Sequence, residues 1–228
     1  TRRSSDLGDG GNGDGDGNGD GNGDGRRGER VFLPVMLDLR GRDALVVGAD
    51  EDAVRRVERL ARAGARVRVV AREASEGLRT LGGSGGVHIE LREAREEDME
   101  GAALTYVATS EEAQAPALFA RARRTGQPMC TIDRPELSTF INPAAMEAGA
   151  LMIAISTGGA SPALARRIRE DLEAIFATPD FVAWIGELAR LREALPRGER
   201  AARGAEAVKG FALEGAVRLP GRAGREPR

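Results

Sequence analysis

Three observations in this sequence predict a doubly wound α/β fold with a Rossmann-like parallel sheet. Short apolar runs alternate with helical patterns four times over about 100 residues, the signature of strands joined by crossovers. Ala44 to Glu73 reads as one strand-turn-helix-strand unit of about 30 residues, the length a right-handed parallel crossover needs. Its turn, Val46-Val47-Gly48-Ala49-Asp50-Glu51-Asp52, puts a glycine where a dinucleotide-binding loop starts.

Each element follows from local chemistry. Ala44 to Val47 is a short apolar strand, and Asp52 to Ala63 a helix with Ala53, Val57, Leu60 and Ala61 on one face. Gly64 stops it as a glycine just past a helix end does. Val67, Val69 and Val70 mark a second buried strand, and Val87 to Leu91 alternates like a half-exposed one. Leu104 to Ala108 is a further strand; Pro116 suits the first turn of a helix running to about Arg124. Met129 to Ile132 follows Gly126 and Pro128 as another strand, and Leu151 to Ile155 is one more. Ser161 as N-cap and Pro162 at the first helical position open a helix with Leu164, Ile168, Leu172 and Ile175 at helical spacing. A second amphipathic helix carries Phe181, Trp184, Ile185, Leu188, Leu191 and Leu195. Two such apolar faces call for a partner: a subunit interface is the economical expectation, with packing on the sheet of the same chain as the alternative. Beyond Pro196 the pattern predicts a loose tail with one weak helix.

The expected organisation is thus a Gly/Asp/Asn-rich disordered tail over 1–29, a Rossmann-like domain over 30–141, a dimerisation and helical segment over 142–197, and a flexible tail over 198–228. Asp20-Gly21-Asn22-Gly23-Asp24-Gly25 copies the start of a calcium-binding EF-hand loop. Position twelve is Val31 instead of a bidentate Glu, so disorder is the better reading.

Composition narrows the function. A net charge of −2 over 228 residues gives no field that would attract nucleic acid. Among 34 basic residues Lys209 is the one lysine, so cationic contacts are guanidinium forks suited to carboxylates and phosphates. A single cysteine, Cys130, excludes a disulfide framework and a cysteine-rich metal cluster, and fits a reducing cytoplasm. No run reaches the ~18 apolar residues of a membrane span, and no signal-peptide core is visible at the start. His88, the sole histidine, lies on the alternating strand, where a solvated structural role explains it, so no metal ligand set is expected.

Four blocks in order resemble the precorrin-2 dehydrogenase module of siroheme synthases, from about Phe32 to Pro196. They are Leu33-Pro34-Val35-Met36-Leu37-Asp38-Leu39 before the Gly48 turn; Ala63-Gly64-Ala65-Arg66-Val67-Arg68-Val69-Val70-Ala71; Thr131-Ile132-Asp133-Arg134-Pro135 with Phe140-Ile141-Asn142-Pro143; and Ile155-Ser156-Thr157-Gly158-Gly159-Ala160-Ser161-Pro162-Ala163-Leu164-Ala165-Arg166. The resemblance implies a homodimer that uses NAD to oxidise the tetrapyrrole precorrin-2 to sirohydrochlorin, with ferrous iron as a second substrate in some members. The methyltransferase module fused to some siroheme synthases has no room in this length, so a stand-alone version is expected.

The resemblance also implies roles. Gly48, Ala49, Asp50, Glu51 and Asp52, with Ala71, Arg72 and Glu73 after the second strand and Thr109 after the Leu104 strand, would contact NAD. The family's glycine run has become Gly48-Ala49-Asp50, which adds charge beside the pyrophosphate; Arg55 and Arg56, one turn on, are candidates to offset it. Asp133 would be the catalytic carboxylate, accepting the proton that leaves with the hydride. Asn142, Ser156, Thr157, Gly158, Gly159, Ser161 and Arg166 would receive the substrate's carboxylates at a helix N-terminus. Two other readings stay open: a chelatase with impaired dehydrogenation because of Asp50, and a non-catalytic tetrapyrrole or nucleotide sensor.

Overall fold

The computed structural model describes residues 32–83, 85–108 and 113–215. The chain divides into two units after Phe32, and the second, from Leu33, holds every described strand and helix. The glycine-rich tail and Thr109 lie outside the described residues.

Five parallel strands form the main sheet: β1 (Asp43–Val47), β2 (Arg66–Ala71), β3 (Val87–Leu91), β4 (Leu104–Val107) and β5 (Met129–Thr131), in the order β3-β2-β1-β4-β5. From β1 the chain winds outward through β2 and β3, then returns to the other flank of β1 with β4 and β5. The order therefore reverses between β1 and β4, the place where open parallel sheets leave a crevice at their carboxyl edge. The two faces bury separate cores. Val46, Val69, Leu104 and Tyr106 point to the side of α1 (Glu51–Arg62) and α2 (Glu76–Gly82). Leu45, Val47, Val70 and Val107 meet Leu118 and Ala122 of α3 (Ala115–Thr125) on the other. Burial on both sides explains why these strands read as unbroken apolar runs.

Helix α1 begins where Asp50 caps it, its carboxylate accepting from the Ala53 amide at 2.8 Å. It stops in a Schellman turn. Gly64 sits at φ 80°, its amide donates to the Ala61 carbonyl, and the Ala65 amide donates to Leu60 at 3.0 Å.

One crossover of the sheet has no α-helix among the described residues. Between β3 and β4 the chain makes only a 3-10 turn, Glu96–Met99. Asp98 in that turn is buried and gripped by Arg92 through two hydrogen bonds of 2.6 and 2.7 Å, and its second oxygen accepts from the Arg95 amide at 2.7 Å. Arg68 of β2 adds bonds to the Asp98 carboxylate and carbonyl. Charged side chains pin this crossover in place of an amphipathic helix.

After β5 the chain leaves the sheet. Strands β6 (Ala144–Ala148) and β7 (Leu151–Ile155) form an antiparallel hairpin with Met146 opposite Ile153. An isolated hairpin is marginal in water. This one buries Met146 and Ala148 against Phe176 and Leu172 of α4 (Pro162–Phe176). Helix α5 (Pro179–Ala194) follows, then the expected weak helix as α6 (Arg200–Ala207). Phe211 beyond α6 stacks on Trp184 with centroids 5.4 Å apart.

Candidate functional site

The β1/β4 crevice is lined by the turn that leaves β1. Gly48 lies at φ 114°, a conformation a side chain would strain, and its amide donates to the Val70 carbonyl at 3.0 Å. The turn then delivers the N-terminus of α1, whose first amides have no partner within the helix. Together these fit a dinucleotide pyrophosphate. One feature works against it: the Asp50 carboxylate already occupies the Ala53 amide. That contact shows the helix end accepts an anion, and that the chain's own anion competes for it.

The neighbouring charges are paired. Arg55 bonds Glu51 and Asp52, each at 2.6 Å, so it neutralises acids of the turn instead of facing the crevice. Arg56 does not offset Asp50 either. Its guanidinium lies 5.5 Å above the Tyr106 ring. A guanidinium only donates, so the Asn142 amide turns its oxygen toward Arg56, accepting at 2.9 to 3.2 Å, and its nitrogen donates to the Tyr106 hydroxyl at 2.8 Å. At the end of β2, Ala71 is buried, Arg72 bonds Glu93 at 2.7 Å, and Glu73 is exposed.

Just past β5, two strands over from β1, the chain turns at Asp133. This residue has φ 58°, the one positive value at a non-glycine among the described residues, and its side chain is exposed. Such backbone strain persists only where neighbours hold it. Ser138, buried, does so: its hydroxyl accepts from the Thr131 amide at 2.9 Å and donates to the Arg134 carbonyl at 2.9 Å. With one strand between them, β1 and β5 run about 10 Å apart, and Gly48 and Asp133 follow their carboxyl ends.

The comparisons agree with this architecture. Residues 35–144 match an NAD(P)-binding family model, and residues 149–175 match the sirohaem biosynthesis protein central model. A solved structure, SirC, precorrin-2 dehydrogenase, superposes with a TM-score of 0.67 at 27% identity, covering 78% of this chain and 90% of that one. The chain thus carries an NAD(P)-binding region followed by a sirohaem biosynthesis central region, and its fold resembles that of a precorrin-2 dehydrogenase. Among curated relatives, the siroheme synthase of Nitrosomonas europaea is 40% identical over 145 residues, 63% of this chain and 30% of the relative. That of Methylococcus capsulatus is 37% identical over 170 residues, 72% and 35% respectively. The chain therefore spans about a third of the length of these relatives.

The remaining expected site residues form a second group. The loop after β7 is organised internally: Thr157 Oγ1 accepts from the Ser161 amide and donates to its carbonyl, both at 3.1 Å, and the Ser156 hydroxyl accepts from the Gly158 amide at 3.2 Å. Gly158 and Gly159 both have positive φ, which gives the loop its tight path. Ser161 caps α4 by accepting from Leu164 at 3.2 Å. Arg166 and Arg167 bond Glu170 and Asp171 one turn on, at 3.1 and 3.0 Å. Asn142 belongs instead with Tyr106 and Arg56, beside the cofactor crevice.

Local sequence pattern marks neither Tyr106 nor Ser138, and it does not place Arg56 over the Tyr106 ring. Tyr106 is buried, and burial pushes its phenol up to about 12. Cys130, its β5 neighbour in register, is a buried thiol that burial also pushes up, consistent with a packed side chain and not a nucleophile. Among the described residues, no group of three His, Cys, Asp or Glu is placed to hold a metal, and no helix is long and apolar enough to cross a membrane.

Proposed function

We propose that this chain oxidises precorrin-2 to sirohydrochlorin with NAD, a step of siroheme synthesis. The observation that carries the reading is the Asp133 turn: an exposed carboxylate held in strained backbone at the carboxyl edge of β5, next to the β1/β4 crevice. The NAD(P)-binding and sirohaem biosynthesis central matches and the likeness to a precorrin-2 dehydrogenase over 90% of that chain support it. When bound, NAD supplies the hydride acceptor. The chain's part is to hold the macrocycle and manage protons. Asp133 accepts the proton that leaves as the ring is oxidised. The cofactor would lie across Gly48 to Asp52, Ala71 to Glu73 and Thr109.

The loop Ser156 to Ser161, with Arg166, would take the substrate carboxylates at the α4 N-terminus. Arg166 must then exchange its Glu170 partner for a substrate carboxylate, which an exposed pair does at little cost. A homodimer is part of the proposal. Leu33, Val35, Met36 and Leu37 stay exposed on the segment before β1, as does Met152 on the hairpin, and apolar surface of this kind is normally covered. Anaerobic incubation with precorrin-2, with and without NAD, tests the activity by the change in visible absorbance. No consumption of precorrin-2 under either condition would remove it.

The Asp50 contact favours a second reading, in which dehydrogenation is impaired and ferrous iron insertion is the main activity. Sirohydrochlorin and ferrous ion without NAD would then give the metallated spectrum.

A further inference from the structure

We infer that Arg56 is a positioning residue, holding the Asp133 turn in register with the end of α1 through Asn142 and Ser138. The inference rests on the cofactor and Asp133 reading above.

The contacts form a continuous path between two elements that lie far apart in sequence. Arg56 sits in the second turn of α1, the helix whose N-terminus faces the crevice. Its guanidinium covers the Tyr106 ring at 5.5 Å and bonds the Asn142 amide oxygen with Nη1, Nη2 and Nε. Tyr106 is fixed from the other side by Phe140, edge-on at 5.4 Å, and by its hydroxyl on the Asn142 amide nitrogen. Ser138 and Asn142 lie on one short segment that is tied to β5, the Thr139 amide donating to the Met129 carbonyl at 2.7 Å. Ser138 in turn ties Thr131 to Arg134 across Asp133.

Tyr106 and Ser138 are buried and Arg56, Phe140 and Asn142 half-buried, where a polar contact is costly to leave unmade. Asp133 needs such bracing because its φ of 58° is strained without it. A shift at the first turns of α1, where the dinucleotide would dock, therefore reaches Asn142 through the Arg56 guanidinium.

Tyr106 is the single tyrosine of the chain, so it reports on this path directly. Full-length protein labelled with 3-fluorotyrosine gives one fluorine resonance. NAD binding should move that resonance in the unsubstituted chain. In Arg56→Ala, calorimetry should still show NAD binding within about threefold, the resonance should no longer respond, and kcat should fall at least about tenfold with KM for precorrin-2 little changed. Arg56→Lys keeps a cation over the ring without the fork and should lie between the two; Asn142→Leu, which breaks the path at its next link, should lose the response as Arg56→Ala does. A resonance that still responds to NAD in both Arg56→Ala and Asn142→Leu, or an unchanged kcat, overturns the inference while leaving the cofactor reading intact. An unsubstituted chain that binds no NAD overturns the cofactor reading first, and the inference falls with it.

Discussion

The Asp50 carboxylate accepts from the Ala53 amide at 2.8 Å, so the seat that a dinucleotide phosphate would occupy at the start of α1 is already taken by the chain's own anion. Binding must displace or share that contact, and Glu51 and Asp52 beside it are only partly neutralised by Arg55. Asp50→Gly should therefore tighten NAD binding, on the order of three- to tenfold for one unfavourable charge near a helix end. Asp50→Ser keeps a capping oxygen without the charge and separates the two effects. It should tighten binding with no loss of thermal stability, whereas the glycine lowers stability by a few tenths of a kcal/mol. Isothermal titration reads the affinity; weaker binding by both variants would mean that the phosphate does not approach this end of the helix.

Asp133 combines a carboxylate with a left-handed backbone, and asparagine tolerates that backbone nearly as well. Asp133→Asn should leave the melting temperature within a degree or two and cost about 10²- to 10⁴-fold in precorrin-2 oxidation, the range for losing a positioned base. Asp133→Gly removes the strain as well as the base, so it should be at least as stable and equally inactive. A variant that retains turnover would mean that another group takes the proton.

What the sequence discloses follows from how local each signal is. The strand β1, the end of α1 at Gly64 and the start of α4 at Ser161-Pro162 are written in adjacent residues, through apolar runs, a left-handed glycine and a cap. Ala144-Ala145-Met146-Glu147-Ala148 has little strand propensity and pairs only because β7 and α4 cover it, so β6 leaves no local signal. Arg56 reads as a neighbour of the phosphate site because it is near in sequence. Its orientation is set by Tyr106 and Asn142, 50 and 86 positions away, and no local pattern carries that. Family resemblance marks Asp133, but its φ of 58° comes from the Ser138 hydrogen bonds. Asp98 is hidden for a similar reason: Glu96 to Met99 reads as a surface acidic run until Arg68 and Arg92 close over it.

That Asp98 cluster makes stability pH-dependent. Hydrogen bonds from Arg92 hold the Asp98 carboxyl below its usual range, outweighing the opposing effect of burial. A carboxyl with a depressed folded value contributes its full stabilisation above the unfolded value, about 3.9, and loses it as pH falls through the folded one. Asp98→Asn should thus cost about 2 kcal/mol in urea melts near neutral pH, the scale of charge-assisted bonds. The gap between the two proteins should close as the pH drops below about 4. A gap that stays constant down to acid pH would assign the cost to packing instead of charge.

Gly149 couples the hairpin to α5. Its φ is 60°, and a Cβ there would lie 3.0 Å from Ile185 Cγ2 and 3.3 Å from Val182 Cγ1. Gly126 has a similar φ of 72° with nothing within 4 Å of such a Cβ. Alanine at Gly126 therefore carries only the left-handed penalty of about 1 kcal/mol. Alanine at Gly149 carries the same penalty plus the displacement of two branched side chains, for a total of about 2 to 4 kcal/mol. Thermal melts of the two variants isolate the difference. If Gly149→Ala costs no more than Gly126→Ala, α5 is free to move away from the hairpin turn. The apolar face that α5 shares with Phe176 and Phe211 would then be held by contacts other than this one.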